Sequence, residues 1–412
     1  MRRAGAGALV AATFAAVLAL AGAGWPGRDY RSGDFFQYYA GAAAVASGAS
    51  PYDTRWWTDF SSRQGSTALH NPPEPSSGDA AWTTPYPLHL FVAILPIALM
   101  PLDLAAALWL VAQALCIAVG LAFVARQLLT DPRRDGLLLS AIALAFQPLW
   151  LFPGNGNLTG FLFGAVAGAV GMTLRGRPFA AGAFLAVCSV KPQSLVLVAI
   201  ALVLATPARD RLRMLEGSAL IAVPLLATAF ALQPGWIAGW LEVAAALQRT
   251  HFSNATGWTI DRIVPGTPVA TAPIAVAAAV AVLGAWWWRV RPAPAWAVAA
   301  AIPVSVFAAP HGWTYEQLYL LISAAVIIGA VAKAAPRTRT LVLVAVAAVF
   351  GPIPWALYAW DLGRNGEEPS AAVPLLVFGL VLLVRRLTTS LPRREALTAA
   401  AGRGGGARTL AA

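Results

Sequence analysis

The sequence predicts an all-α integral membrane protein of many spans, on three observations. Of its 412 residues 58% are hydrophobic and only 11% charged, and the mean hydropathy is +0.66, outside the balance of water-soluble domains. Apolar runs recur from Ala4 to Leu383, and a spanning helix needs roughly 20 apolar residues at about 1.5 Å rise. Basic residues sit in short clusters between the runs, as cytoplasmic loops of membrane proteins are marked. These are Arg2-Arg3, Arg126 with Arg133-Arg134, Arg175 with Arg177, Arg209 to Arg213, Arg289 with Arg291, Lys333 with Arg337 and Arg339, and Arg385-Arg386.

With those clusters inside, spans fall at roughly 4–24, 104–125, 137–152, 158–174, 215–233, 268–288, 295–309, 314–332, 340–360 and 371–384. The first follows Arg2-Arg3 and reads as a retained signal-anchor in preference to a cleaved signal peptide. Two segments are ambiguous. The stretch 87–101 is short, broken by Pro96 and ended by Pro101; it is a re-entrant or interfacial piece, or one arm of a broken crossing. Between Phe179 and Ala205 the triplet Lys191-Pro192-Gln193 splits an apolar run, as if two short arms met at a polar apex near the outer face. The expected organisation is a membrane domain over 1–387 with outer loops at 26–86, 233–266 and 361–370, then a disordered basic cytoplasmic tail over 388–412. The Pro/Ser-rich HNPPEPSSGD within the first loop reads as flexible.

The formal charge of +11 forms no continuous basic face, which argues against nucleic acid as a partner. Cys116 and Cys188 lie inside apolar runs, where a thiol is a small hydrophobe, so no disulfide framework or CxxC site is expected. His70, His89, His251 and His311 are too scattered to assign as metal ligands. A P-loop and a GxSxG elbow are absent from the sequence.

Polar residues that interrupt the apolar pattern are the candidates for chemistry. Asp34 opens a helix on which Phe35, Tyr38, Tyr39 and Ala42 share a face. It is either a helix-capping acid or a partly desolvated carboxylate able to act as a general base. Lys191 is one of two lysines and interrupts an apolar run. It either snorkels to the interface or binds a phosphate, with Gln193 beside it. Gly154-Asn155-Gly156-Asn157 is a turn that offers carboxamides and backbone amides. The break from Pro310 to Glu316 either brings His311, Tyr315 and Glu316 to the outer end of two helices or is a structural hinge with a capping Thr. The outer loop with Arg249, His251, Asn254, Trp258, Asp261 and Arg262 suits a sugar or phosphate, or rest at the headgroup level.

Taken in order, these pieces resemble glycosyltransferase family 87, the polyprenol-phosphate-mannose-dependent mannosyltransferases of the GT-C membrane class. The resemblance rests on Gly33-Asp34-Phe35, Tyr38-Tyr39-Ala40-Gly41, Gly48, Pro51-Tyr52-Asp53 and Tyr86-Pro87. It continues through the turn at 154–157, Lys191-Pro192-Gln193 and Pro310-His311 with Tyr315. Leu88 stands where the family usually repeats proline, and Asn155 where it usually has glutamine. The resemblance implies a polytopic GT-C bundle of about 10–13 transmembrane helices with outer-face loop helices. It further implies inverting transfer of a sugar, usually mannose, from a polyprenyl-phosphate donor to a glycolipid or glycan acceptor. Asp34 matches the catalytic base; Lys191, His311, Arg249 and Arg262 would hold the donor phosphate. Tyr38, Tyr39, Asn155, Asn157, Gln193, Tyr315 and Glu316 would line the sugar and acceptor pocket, and neither metal nor other cofactor is implied. The implied location is the cell membrane, with the site on the extracytoplasmic side. The rival is a transporter or flippase of lipid-linked saccharides, which would show inverted repeats and polar residues at the bilayer midplane.

Overall fold

Proline marks most helix starts in the computed structural model, which describes residue 15 and residues 33–65, 83–250, 268–309, 312–361 and 368–404. Its fixed φ suits the first helical turn and its missing N–H has no partner to lose there. The order is α1 (Asp34–Ala46), α2 (Thr54–Arg63), α3 (Leu88–Ala93), a 3₁₀ turn (Leu95–Leu99), α4 (Leu102–Leu128), α5 (Arg134–Ala145), α6 (Pro148–Asn155) and α7 (Thr159–Leu174). Then come α8 (Pro178–Ala186), a 3₁₀ turn (Val187–Val190), α9 (Pro192–Ala205), α10 (Ala208–Leu232), α11 (Trp236–Thr250), α12 (Pro268–Val290) and α13 (Pro294–Ala308). The chain ends with a 3₁₀ turn (Thr314–Tyr319), α14 (Leu320–Val331), α15 (Pro336–Phe350), α16 (Pro352–Asp361), a 3₁₀ turn (Glu368–Ala371) and α17 (Ala372–Gly404). No strand occurs among the described residues.

Five spans among the described residues are long and apolar enough to cross a bilayer: Leu102–Leu128, Ala208–Leu232, Thr314–Val331, Pro336–Trp360 and Pro369–Thr389. The protein is an all-α polytopic membrane protein. In α4 the exposed side chains Leu104, Leu108, Leu115 and Val119 recur at helical spacing and make a lipid-facing stripe. Ala105, Trp109, Gln113 and Ile117 line the opposite, buried face. Shorter apolar helices, such as the 16-residue α7, extend about 24 Å, less than the roughly 30 Å hydrocarbon core.

Several expected spans are interrupted. The run at 137–152 divides between α5 and α6, because Pro148 lacks an N–H and holds the residue before it away from helical geometry. The run at 340–360 breaks at Gly351 (φ −111°, ψ −98°) ahead of Pro352. The expected span at 4–24 lies outside the described residues apart from Ala15, as does HNPPEPSSGD. Helix α3 and its 3₁₀ turn together reach roughly 19 Å and are too short to cross alone. Helix α17 runs on to Gly404, into the segment 388–412 expected as a cytoplasmic tail. Its Arg-Glu-Ala-Leu and Ala-rich sequence favours helix, and extending an existing helix avoids the unfavourable nucleation step.

The two arms on either side of Lys191 do not form a tight hairpin. Helix α8 packs on α7 and α10, while α9 packs on α13. Without a hydrophobic drive in lipid, such contacts rely on small residues that let backbones touch. A Cβ at Gly182 would lie 1.8 Å from the Met214 carbonyl oxygen, and one at Gly217 would lie 1.9 Å from that of Phe179. Ser218 Oγ donates to the Gly182 carbonyl at 2.8 Å across the same crossing.

Helices α7 and α14 fix the polarity of the bundle. Each starts beside Asn157 or Tyr315 and ends at a basic cluster, at Arg175 or near Lys333. At that basic end Arg175 lies over the Phe123 ring at 4.4 Å, and Arg339 pairs with Asp135 at 3.2 Å. The Asp34 region therefore lies at the opposite end from these cations. The glycine crossing supplies a test of the packing: Gly217→Leu should destabilise the protein by about 1–3 kcal/mol or more, read as a lower melting temperature in detergent.

Candidate active site

Asp34 is the first residue of α1, with Gly33 as its N-cap. The capping alternative predicts a side-chain bond to the helix's own amides, and α1 has none. The carboxylate is bonded from elsewhere: Oδ2 accepts from Asn155 Nδ2 at 2.9 Å, Asn157 Nδ2 at 2.5 Å and the Tyr315 hydroxyl at 3.0 Å. In return the Asp34 amide donates to Asn155 Oδ1 at 3.0 Å. Asn155, shorter by one methylene than the glutamine usual in the family, still reaches both the amide and the carboxylate.

The turn carrying the two asparagines is held from both sides. Asn157 Oδ1 accepts from the backbone N–H and hydroxyl of Thr159, at 3.1 and 2.7 Å. This fixes the carboxamide so that its NH₂ faces Asp34 and the Tyr38 hydroxyl, 3.1 Å away. From α4, Trp109 Nε1 donates to the Gly156 carbonyl at 2.8 Å, and one turn later Gln113 Oε1 accepts from Gly160 N–H at 2.9 Å. Gly156 has φ +69° and a Cβ there would lie 2.5 Å from Phe35 Cβ, so the position admits glycine on two separate grounds. Tyr38 then donates to the Tyr86 hydroxyl at 2.9 Å.

Beside this carboxylate is a buried ion pair. Lys191 (1% exposed) pairs with Glu316 (0% exposed), and Ser194 Oγ donates to Glu316 Oε2 at 2.6 Å. The Lys191 ammonium lies 5.5 Å from the centroid of the Tyr315 ring, the same ring whose hydroxyl binds Asp34. Removing one member of such a pair leaves an uncompensated buried charge, which costs about 3–5 kcal/mol. The 3₁₀ turn that presents Tyr315 and Glu316 is tied to the 368–371 turn by Gln317 Nε2 donating to the Ser370 carbonyl at 2.9 Å.

Burial pushes the Asp34 carboxyl above the ordinary carboxylate range. The hydrogen bond from Asn157, the charge of Lys191 and the hydrogen bond from Tyr315 oppose it in that order. The result is a half-buried acid that ionises late and is held in one orientation by fixed donors. A carboxylate of that kind suits proton abstraction from a hydroxyl.

The structure thus brings together Asp34, Tyr38, Asn155, Asn157, Lys191, Tyr315 and Glu316. Tyr39 is directed elsewhere, its hydroxyl donating to the Met100 carbonyl at 3.0 Å. Glu316, expected among the sugar-binding residues, is occupied by Lys191 and Ser194. Gln193 is half-buried in the first turn of α9 and does not join the bonds around Asp34. His311 and Arg262 lie outside the described residues; Arg249 lies in α11, with its side chain outside them. Tyr86, Ser194, Trp109 and Gln113 belong to the site and carried no separate sequence signal beyond Tyr86's place in the Tyr-Pro step. Among the described residues no three His, Cys, Asp or Glu side chains converge as a metal site.

The model of glycosyltransferase family 87 matches residues 82–323, more than half of the chain, and the protein belongs to that family. It is a membrane glycosyltransferase. The matched stretch contains Asn155, Asn157, Lys191, Tyr315 and Glu316, whereas Asp34 precedes it. No curated protein matches the chain. Gly156→Ala should displace both asparagines from Asp34 and destabilise the protein by about 1–3 kcal/mol; a melting curve and a sugar-transfer assay on the same sample should both fall.

Proposed function

We propose that the protein transfers a hexose, mannose in the first instance, from a polyprenyl-phosphate donor to a glycolipid or glycan hydroxyl at the extracytoplasmic face of the cell membrane. The observation that carries this reading is the Asp34 carboxylate, held by Asn155, Asn157 and Tyr315 beside a buried cation. Asp34 takes the acceptor proton as the oxygen attacks the anomeric carbon and the lipid phosphate leaves. Retention by double displacement, the route of retaining glycosidases, needs a second carboxylate about 5–5.5 Å away, free to act as nucleophile. The neighbouring carboxylate, Glu316, is tied to Lys191 and Ser194, which supports single displacement with inversion, from a β-linked donor to an α-glycoside.

The leaving phosphate needs positive charge where its negative charge builds up. Lys191, His311, Arg249 and Arg262 are the cations we assign to it. Gln193 is assigned to the sugar hydroxyls, whereas Asn155, Asn157, Tyr38 and Tyr315 orient the base. Apolar helix faces are left to hold the prenyl chain. The positive-inside rule supports the extracytoplasmic side, because the site lies at the end of α7 and α14 away from the basic clusters. A transporter reading gains nothing from the site, whose polar groups converge on one carboxylate.

The test is transfer by the purified protein from polyprenyl-phosphate-mannose to glycolipid acceptors. Asp34→Asn should lower the rate by about 10²–10⁴-fold, and undiminished transfer by that variant would remove Asp34 as the base. A base works ionised, so transfer should fall as pH drops through a midpoint above the ordinary Asp value of about 3.9. Asn157→Leu deletes the foremost contribution holding that midpoint down, so it should move the acid limb to higher pH. A limb that stays put would separate Asn157 from the base. Topology has its own check: in whole cells a membrane-impermeant maleimide should label a cysteine placed at position 34 and leave one at position 211 unlabelled.

A further inference from the structure

Among the described residues, the Lys191–Glu316 pair is the one fully buried ion pair at the site, and proton abstraction alone does not use it. Its two members sit at different helix breaks. Lys191 lies between the 187–190 turn and α9, and Glu316 in the 3₁₀ turn that leads into α14. Ser194, one turn beyond Lys191, holds the second oxygen of Glu316, and Ser305 of α13 donates to the Ser194 carbonyl at 2.6 Å. Glu316 is therefore fixed from two directions, and Lys191 with it. The ammonium so placed faces the Tyr315 ring, and a cation over an aromatic face is attracted to it. Gly312 is close to the same oxygen: a Cβ there would lie 3.4 Å from Glu316 Oε2.

We propose that Glu316 is a positioning residue for transfer: it anchors Lys191, and through Lys191 the ring of Tyr315, so that the phenol stays aimed at the Asp34 carboxylate. The proposal rests on the glycosyl-transfer reading above. It gives Glu316 no contact with sugar or acceptor, contrary to what its place in the sequence implied. Lys191 is held in place before the donor arrives, and the charge it offers the phosphate matters most as that group leaves, so loss of Glu316 is felt in kcat more than in donor KM. A displacement of about 1 Å in a catalytic group commonly lowers a rate by about a hundredfold.

The experiment compares wild type, Glu316→Gln, Glu316→Asp and the double variant Lys191→Met with Glu316→Gln, each assayed for kcat, donor KM and melting temperature with polyprenyl-phosphate-mannose. Glu316→Gln keeps the volume and an acceptor oxygen. Its kcat should fall about tenfold to a hundredfold, with donor KM changed less than about threefold. Glu316→Asp, which keeps the charge, should fall between it and wild type. The double variant removes both buried charges and should regain the wild-type melting temperature while kcat stays low. Recovery of kcat along with stability would make the pair structural only and overturn the proposal, as would an unchanged kcat in Glu316→Gln. A loss confined to donor KM would instead place Glu316 against the donor and overturn it too. If wild type transfers no sugar from any lipid-phosphate donor, the reading beneath the proposal fails, and the proposal with it.

Discussion

One half-buried carboxylate organises this end of the molecule. Asp34 opens a short helix, and the three donors on its Oδ2 come from positions 121, 123 and 281 residues away in the chain. Each donor is placed by a break in helical structure: Gly156 reverses the chain after α6, and the 3₁₀ turn at Thr314–Tyr319 precedes α14. In an apolar solvent such breaks are tolerated where they are buried in protein or line a cavity. Here several of the freed polar groups bond to one another, and Trp109 and Gln113 of α4 add bonds around the asparagine turn.

Electrostatics divides the bundle between its two ends. The end formed by the close of α7 and α14 carries arginines that stack on rings or pair with Asp135. The other end carries a carboxylate, a lysine and a second carboxylate, all wholly or partly buried. Such groups are expensive at membrane depth and are kept where they pair and act. Lys191 and Glu316 pair with each other, and Asp34 is the carboxylate we propose for proton transfer.

Much of this was legible in the sequence because the relevant residues contradict their surroundings. Asp34 stands out ahead of an aromatic helix face, Lys191 interrupts an apolar run, and Asn155 and Asn157 occupy a turn between two such runs. What stayed hidden was pairing. Nothing local to Glu316 says that its partner lies 125 residues earlier in the chain, and Ser194 is unremarkable beside Gln193. Tyr38 and Tyr39 look equivalent as neighbours, yet successive helix positions are turned by about 100°, so one meets Asn157 and the other Met100. The breaks at Gln147-Pro148 and Gly351-Pro352 were absorbed into apparently continuous apolar runs, since hydropathy does not register a missing N–H. The segment from Thr388 to Gly404 has the polarity of a solvated tail but the propensity of a helix.

The proposed single displacement at Asp34 has a stereochemical consequence, and that consequence tests the account most directly. Transfer from a β-linked polyprenyl-phosphate mannose, followed by proton NMR of the product's anomeric centre, should give the α-glycoside, as one displacement assisted by Asp34 requires. A β-linked product would mean net retention, which a single in-line displacement cannot give, and would contradict the proposed role of Asp34 as the base of that displacement.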